Sequence, residues 1–115
     1  MKTPLYALLV APDPQMREDI LSGKKAISIR EGHRGYQTGT PVMLCCHIEP
    51  WAVLADITSV RHCQASDLTA EEIRDYGFRG FEDCVSQMRR FYPNFGPHTL
   101  VTVIRWANLR GKLAK

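Results

Sequence analysis

The 115-residue chain lacks any apolar run that approaches the roughly 20 residues needed to cross a bilayer. It also lacks a convincing signal peptide, because its opening segment, MKTPLYALLVAPDP, is short and weakly charged. No internal repeat and no low-complexity linker interrupt it. These absences predict a cytoplasmic protein with no membrane association, folded as a single domain over residues 1–115.

A strong excess of one charge is also missing, since the formal net charge is only +3. Proteins that coat long nucleic acids are usually more basic. The mild excess permits an anionic partner without requiring one. It therefore favours a nucleoside, a nucleotide or a short RNA as the partner.

Cysteine is present, but not in a metal-binding pattern. The four cysteines, two of which adjoin histidines, are Cys45, Cys46 (next to His47), Cys63 (next to His62) and Cys84. No C-x-x-C or H-x-x-x-H pair occurs, and neighbours on a strand point to opposite faces. We therefore predict no metal or other cofactor, and reduced, mostly buried thiols.

The first third of the chain predicts a strand, a helix and a second strand. Leu5–Val10 is an apolar run of strand length. Asp13 and Pro14 are typical of an N-cap and a first helical residue, and Gly23 is typical of a helix C-terminus. Alternation over residues 25–30 then predicts the second strand.

Further strands are predicted on both sides of a helical region. Val42–Ile48 and Ala52–Val60 form a hairpin, joined by a turn at Glu49-Pro50, which is typical of a barrel or strongly curved sheet. Leu100–Trp106 is the last predicted strand, and residues 109–115 are predicted to be a frayed basic tail.

The helical region extends from Ser66 to Tyr92 and divides into two pieces. Thr69 and Glu72 have the spacing of a capping box at the start of the first. In the second, residues 81, 85 and 88 form an apolar stripe that is more typical of core packing than of cofactor contact.

Residues with chemical potential are concentrated between Gly23 and Gly39. This stretch contains five bases, one acid and one hydroxyl between two isoleucines: Lys24, Lys25, Arg30, His33, Arg34, Glu31 and Ser28. Fixed donors beside flexible glycines suit a polar, electron-rich ligand. The alternative is a short strand followed by a solvated basic turn.

Strand alternation separates the side chains of this stretch. Ile27 and Ile29 share one face, and Ser28 and Arg30 share the other. Lys25 has the parity of the isoleucines, so it can join Ser28 only if the chain is still bending or if its long stem reaches around.

The segment DILSGKKAISIRE (residues 19–31) resembles the signature of the ASCH domain family: a helix ending in Gly, a Lys, a strand with a hydroxyl or an acid and an Arg, and a later Gly before the next strand. Residues 76–78 (YGF), 91–93 (FYP) and 101–106 (VTVIRW) extend the resemblance over most of the chain. It implies an α+β fold, namely a PUA-like curved β-barrel of about five to six strands with two to three flanking helices.

Within that family the segment is similar to small bacterial N4-acetylcytidine amidohydrolases, which remove the acyl group from the exocyclic nitrogen of cytidine. The resemblance implies a catalytic lysine at Lys25 and a hydroxyl at Ser28. The family's acid directly precedes Gly-Phe, where this chain has Tyr76. Asp75 is then the expected acid, unless Glu31 or Glu72 substitutes or the reaction has been lost. The residues expected to contact substrate are Lys24, Arg30, Glu31, His33, Arg34, Tyr36 and Tyr76.

Two amide-cleavage schemes are compatible with these groups. In one, Ser28 attacks the acyl carbonyl with Lys25 as its base. In the other, a carboxylate activates water while Lys25 polarises the carbonyl and Ser28 positions the substrate. Neither scheme requires a metal.

Two functions follow from the sequence. The first is an amidohydrolase for N4-acylated cytosine nucleosides, acting on a small molecule as a monomer or weak homodimer. The second is a non-catalytic module that binds RNA or a modified nucleobase. A ribonuclease is a third possibility, but no histidine pair or acidic metal cluster supports it.

Overall fold

The computed structural model describes residues 6–9, 14–46 and 51–114. Its elements are β1 (Tyr6–Leu9), α1 (Pro14–Leu21), β2 (Ile27–Glu31), β3 (Pro41–Cys46), β4 (Trp51–Gln64), a 3-10 turn (Ala65–Asp67), α2 (Ala70–Tyr76), α3 (Phe81–Met88) and β5 (Leu100–Ala114). No helix in these ranges is long and apolar enough to span a membrane.

The strands in the described ranges form one five-stranded sheet with the order β1-β3-β4-β5-β2. The β1–β3 pair is parallel and the other pairs are antiparallel. The sheet curls into a half-barrel with three helices, which confirms the predicted α+β class and the predicted strand and helix numbers. β1 and β2 are the two edge strands, and we call the gap between them the seam.

Side chains on the two faces of the sheet form two hydrophobic cores. The inner core lies within the curl and contains Leu8, Ile20, Val42, Leu44, Trp51, Val53, Ala55, Ile57, Ile104 and Trp106. The outer core lies under α2 and α3 and contains Ile27, Ile29, Ala65, Leu68, Ile73, Phe78, Cys84, Met88, Phe95, Val101 and Val103. Because strand neighbours alternate in direction, β2 gives its isoleucines to the outer core and β5 contributes to both.

The start and end of α2 follow from its sequence. The Thr69 hydroxyl accepts a hydrogen bond from the Glu72 amide, and the Glu72 carboxylate accepts one from the Thr69 amide, which confirms the predicted capping box. The helix ends at Gly77, whose φ of 111° is a left-handed conformation that suits glycine. This end places Tyr76 at the last helical position, against β2.

The predicted frayed tail is wrong, because β5 continues to Ala114. Its second half pairs with the start of β4, where Ala52 lies opposite Leu113 and Leu54 opposite Arg110. Charged residues and a glycine obscure the strand pattern in this part of the sequence. Pairing with a neighbouring strand, which sequence periodicity does not report, extends β5 through it.

Other boundaries shift by a few residues. β4 runs to Gln64, beyond its predicted end at Val60, and β2 begins at Ile27 rather than at Lys25. α1 begins at Pro14 as predicted. The predicted N-cap at Asp13 and the turn at residues 49–50 lie outside the described residues.

Candidate functional site

The chain between α1 and β2 leaves the helix through a sharp turn. Gly23 has a φ of 83°, and the Lys25 amide donates a hydrogen bond to the Asp19 carbonyl at 2.9 Å. Lys25 therefore lies before the strand and is not bound by its alternation. This geometry meets the condition that the chain still be bending at Lys25.

The Lys25 side chain is held between α1 and α2 and is only 9% exposed. Its Nζ donates to the Met16 Sδ at 3.7 Å and lies 3.8 Å from the centroid of the Tyr76 ring. A cation over the face of an aromatic ring is stabilised in its charged form. The ring offsets part of the cost of burying the Lys25 charge, so this contact suits a lysine that acts as a positive donor.

Ser28 and Arg30 share one face of β2, as predicted. Ser28 is 4% exposed, and its Oγ accepts a hydrogen bond from Arg30 Nε at 2.8 Å. Arg30 Nη2 donates to the Leu9 carbonyl of β1, so one guanidinium bridges the seam. The bond to Arg30 orients the hydroxyl and leaves the Ser28 proton available for donation to a ligand.

Tyr76 completes the group from the end of α2. Its ring stacks on Phe78 with centroids 4.4 Å apart. Burial raises the pKa of the Tyr76 phenol, and the nearby Arg30 charge opposes that effect. Tyr76 thus contacts Lys25 and lies within the electrostatic reach of Arg30. We call Lys25, Ser28, Arg30 and Tyr76 the seam cluster.

The acids considered for catalysis have other partners. Asp75 forms an ion pair with Arg105 at 3.1 Å and approaches Arg74 at 3.8 Å. Glu72 is buried and forms two hydrogen bonds with Arg61, at 2.5 and 2.8 Å. Burial favours a raised Glu72 pKa, but the bonds from Arg61 and Thr69 outweigh it and lower the pKa.

Glu31 has the strand parity of the isoleucines and therefore lies on the face opposite Ser28. The Ser28 hydroxyl makes its hydrogen bond with Arg30, and no carboxylate in the described part of the chain bonds to it. The structure therefore leaves the expected catalytic acid, Asp75, in an ion pair beside the seam cluster.

The β2–β3 loop is fastened to the neighbouring strands. His62 Nε2 donates to the Arg34 carbonyl at 2.7 Å, and His33 Nε2 lies 3.4 Å from the Cys63 carbonyl. The Thr102 hydroxyl accepts from the Arg34 amide and donates to the Gly32 carbonyl. His33 and Arg34 are thus attached to β4 and β5, through contacts that do not include the seam cluster.

Two other expected contact residues occupy different environments. Lys24 is exposed beside the turn, and its amide donates to the Ser22 hydroxyl at 3.4 Å. Tyr36 is half-buried and packs against the inner core.

Met16 was not predicted to belong to the site, because helical spacing marks it only as an apolar residue.

Cys63 and Cys84 are free thiols. Cys45 Sγ donates to the Leu8 carbonyl at 3.4 Å. Cys84 is fully buried in the outer core, and burial raises its pKa to about 11. Within the described ranges, no three histidine, cysteine or acidic side chains are grouped to hold a metal ion, and the side chains of Cys46 and His47 lie outside those described.

Solved structures of ASCH domains superpose on this half-barrel. An ASCH domain from Lactobacillus crispatus JV V101 matches 90% of this chain and 78% of its own, with a TM-score of 0.59 and 17% identity. The protein has the ASCH-domain fold. The ASCH protein of Zymomonas mobilis matches 96% of this chain and 71% of its own, with a TM-score of 0.64 and 13% identity.

A protein from Enterococcus faecalis V583 assigned to the DUF984 family also has the ASCH fold, with a TM-score of 0.61 and 11% identity over 93% of this chain and 80% of its own. No protein-family model matches this sequence, and no curated protein matches it. The superpositions establish the ASCH fold, and identities of 11–17% carry no activity over to this chain.

Proposed function

We propose that the seam cluster binds N4-acylated cytosine nucleosides and hydrolyses their amide bond. The observation that carries this proposal is the buried Ser28 hydroxyl, oriented by Arg30 on the inner face of β2, with the Lys25 ammonium held on Tyr76 at the same edge of the sheet. A charged donor and an oriented hydroxyl are two groups that an acyl carbonyl requires.

The Lys25 contact with Tyr76 favours the scheme in which water is the nucleophile. Lys25, held as an ammonium, donates to the acyl oxygen and stabilises the negative charge that develops there. Ser28 donates to the substrate and positions it. Water adds to the acyl carbon, the C–N bond breaks and the exocyclic nitrogen takes up a proton, giving cytidine and a carboxylic acid.

Proton removal from that water needs a base. Asp75 can serve as the base only when Arg105 releases it, since the two side chains form an ion pair at 3.1 Å. The scheme therefore requires ligand binding to change the Asp75–Arg105 contact. Asp75→Asn tests this requirement, because it removes the base and preserves the size of the side chain.

One observation favours the second function, binding without turnover. Tyr76 occupies the position directly before Gly77-Phe78, and its ring covers the Lys25 ammonium. The Tyr76 ring already packs against Phe78 and Lys25, so the groups that suit a nucleobase are the Lys25 and Arg30 cations, which can donate hydrogen bonds to its polar edge. Such a site binds a modified base, free or within RNA, without hydrolysing it.

Incubation with N4-acetylcytidine, followed by the loss of acylcytosine absorbance, separates the two functions. Turnover that is abolished in Lys25→Ala and in Ser28→Ala supports the hydrolase. Ser66→Ala is the matched control, because its exposed hydroxyl lies on the 3-10 turn, outside the seam cluster. Absence of turnover, with calorimetric binding that both cluster variants weaken, supports the binding module; absence of both rejects the site.

A further inference from the structure

Trp106 carries a polar atom that has no partner. The residue lies in the inner core with 3% exposure. Among the described residues, its Nε1 is the one buried side-chain nitrogen or oxygen without a hydrogen bond. A buried indole N–H usually finds an acceptor, because leaving such a donor unpaired is unfavourable. This donor therefore requires an explanation.

The register of β5 with β2 places Trp106 beside Ser28. The Trp106 amide donates to the Ala26 carbonyl at 3.2 Å, and Ser28 lies opposite Ile104. Side chains two residues apart on a strand share a face, so the indole and the Ser28 hydroxyl lie on the same inner face. Diagonal neighbours of this kind are separated by about 7–8 Å, which a nucleobase can bridge.

We infer that Trp106 Nε1 is a ligand-binding donor that bonds to a carbonyl oxygen of the pyrimidine ligand. This inference rests on the proposed function for the class of ligand, but it does not require hydrolysis. Ser28 and Trp106 then hold the ligand from two strands of the same face. The carbonyl is either the ring O2 or the acyl oxygen, and both are uncharged acceptors.

Access to the indole requires a side chain to move, because its nitrogen is shielded from solvent. Met16 packs against the inner core and also contacts Lys25. Its unbranched thioether can change rotamer at little cost. Met16 borders both Lys25 and the inner core, and the inference includes its movement as the ligand enters.

Proton–nitrogen NMR of the indole groups in the full-length protein tests the inference. The chain has two tryptophans, so Trp51→Phe assigns the Trp106 indole signal. Saturation with N4-acetylcytidine should move that signal downfield, as a new hydrogen bond does. A shift also produced by cytidine identifies O2 as the acceptor, and a shift confined to N4-acetylcytidine identifies the acyl oxygen.

The Trp106→Phe variant gives a second measurement. It removes the donor and retains an aromatic ring, so the Kd for N4-acetylcytidine should rise by roughly 2- to 10-fold, the range of a neutral hydrogen bond. If the variant turns over substrate, KM should rise with kcat unchanged, as expected for a contact made equally in the ground and transition states.

The outcomes separate this inference from the proposed function. Ligand-induced shifts at the Lys25 and Ser28 amides without any change at the Trp106 indole overturn the inference alone, and indicate that an internal water satisfies the donor. An indole shift of equal size with adenosine, whose base has no carbonyl, also overturns it. An indole shift without turnover supports it and rejects the hydrolase. No shift anywhere rejects both.

Discussion

Arg30 is the residue whose single side chain connects the candidate site to the edge of the sheet. Its Nε bonds to Ser28 and its Nη2 bonds to the Leu9 carbonyl across the seam. Only a guanidinium presents donors in the fixed, divergent arrangement that these two acceptors need. The orientation of the hydroxyl and the attachment of β1 therefore depend on the same group.

Arg30→Lys tests this double role. A lysine ammonium can reach one acceptor but not both, so we expect the free energy of unfolding to fall by about 1–2 kcal/mol, less than the full value of a charge-assisted hydrogen bond because Arg30 is only half-buried. Urea denaturation measures the change. Arg79→Lys, at an exposed position between α2 and α3, is the control and should leave stability unaltered. Equal stability of the two variants contradicts the bridging role.

The Tyr76 phenol should ionise at a higher pH than an ordinary tyrosine. Burial raises the Tyr76 pKa above its ordinary value near 10, so the folded state keeps this proton when the unfolded state has lost it. Stability therefore falls as pH rises through the interval between the unfolded and the folded pKa. Absorbance at the phenolate band should show a component that titrates above pH 10, and Tyr76→Phe should remove it. A titration unchanged by Tyr76→Phe contradicts the assignment.

At the scale of elements, α2 positions Tyr76, and its capping box fixes where the helix begins. Thr69→Ala should lower the free energy of unfolding by about 1 kcal/mol, the usual cost of losing an N-cap hydroxyl. Chemical denaturation followed by circular dichroism measures the loss. Thr38→Ala removes an exposed turn hydroxyl and serves as the matched control, so a comparable loss there assigns the effect to something other than the cap.

Local signals in the sequence predicted the elements that depend on local chemistry. The α2 cap, the start of α1 at Pro14 and the common face of Ser28 and Arg30 follow from spacing alone, and the structure confirms them. The path of Lys25 to Tyr76 could not be predicted, because it depends on the packing of α2 against β2. The same holds for the ion pair of Asp75 with Arg105, which joins residues far apart in the sequence.

At the scale of the molecule, β5 is the strand that holds the half-barrel together. It pairs with β4 along most of its length and with β2 near its start, so it links the middle of the sheet to the seam. Its C-terminal half also carries Leu109, which packs against the inner core, and Arg110, which pairs with Asp56 at 2.8 Å. These contacts lie in the segment that the sequence marks as a tail.

Deletion of residues 108–115 should therefore destabilise the whole fold. Loss of the Leu109 burial and of the final β4–β5 pairs should remove about 2 kcal/mol or more, which thermal and urea unfolding would detect. Leu109→Ala separates the apolar part of the effect from the strand pairing. A truncated chain with unchanged stability contradicts the structural role of the second half of β5.

Because Cys84 is buried, its rate of alkylation reports how often α3 opens. Its thiol lies within the outer core beneath α3, and with a pKa of about 11 it is neither accessible nor ionised near neutral pH. An alkylating reagent can modify Cys84 only when α3 separates from the sheet, whereas the partly exposed Cys63 can react without that separation. The rate of Cys84 alkylation therefore measures the frequency of this opening, and a ligand that closes the seam should lower that rate.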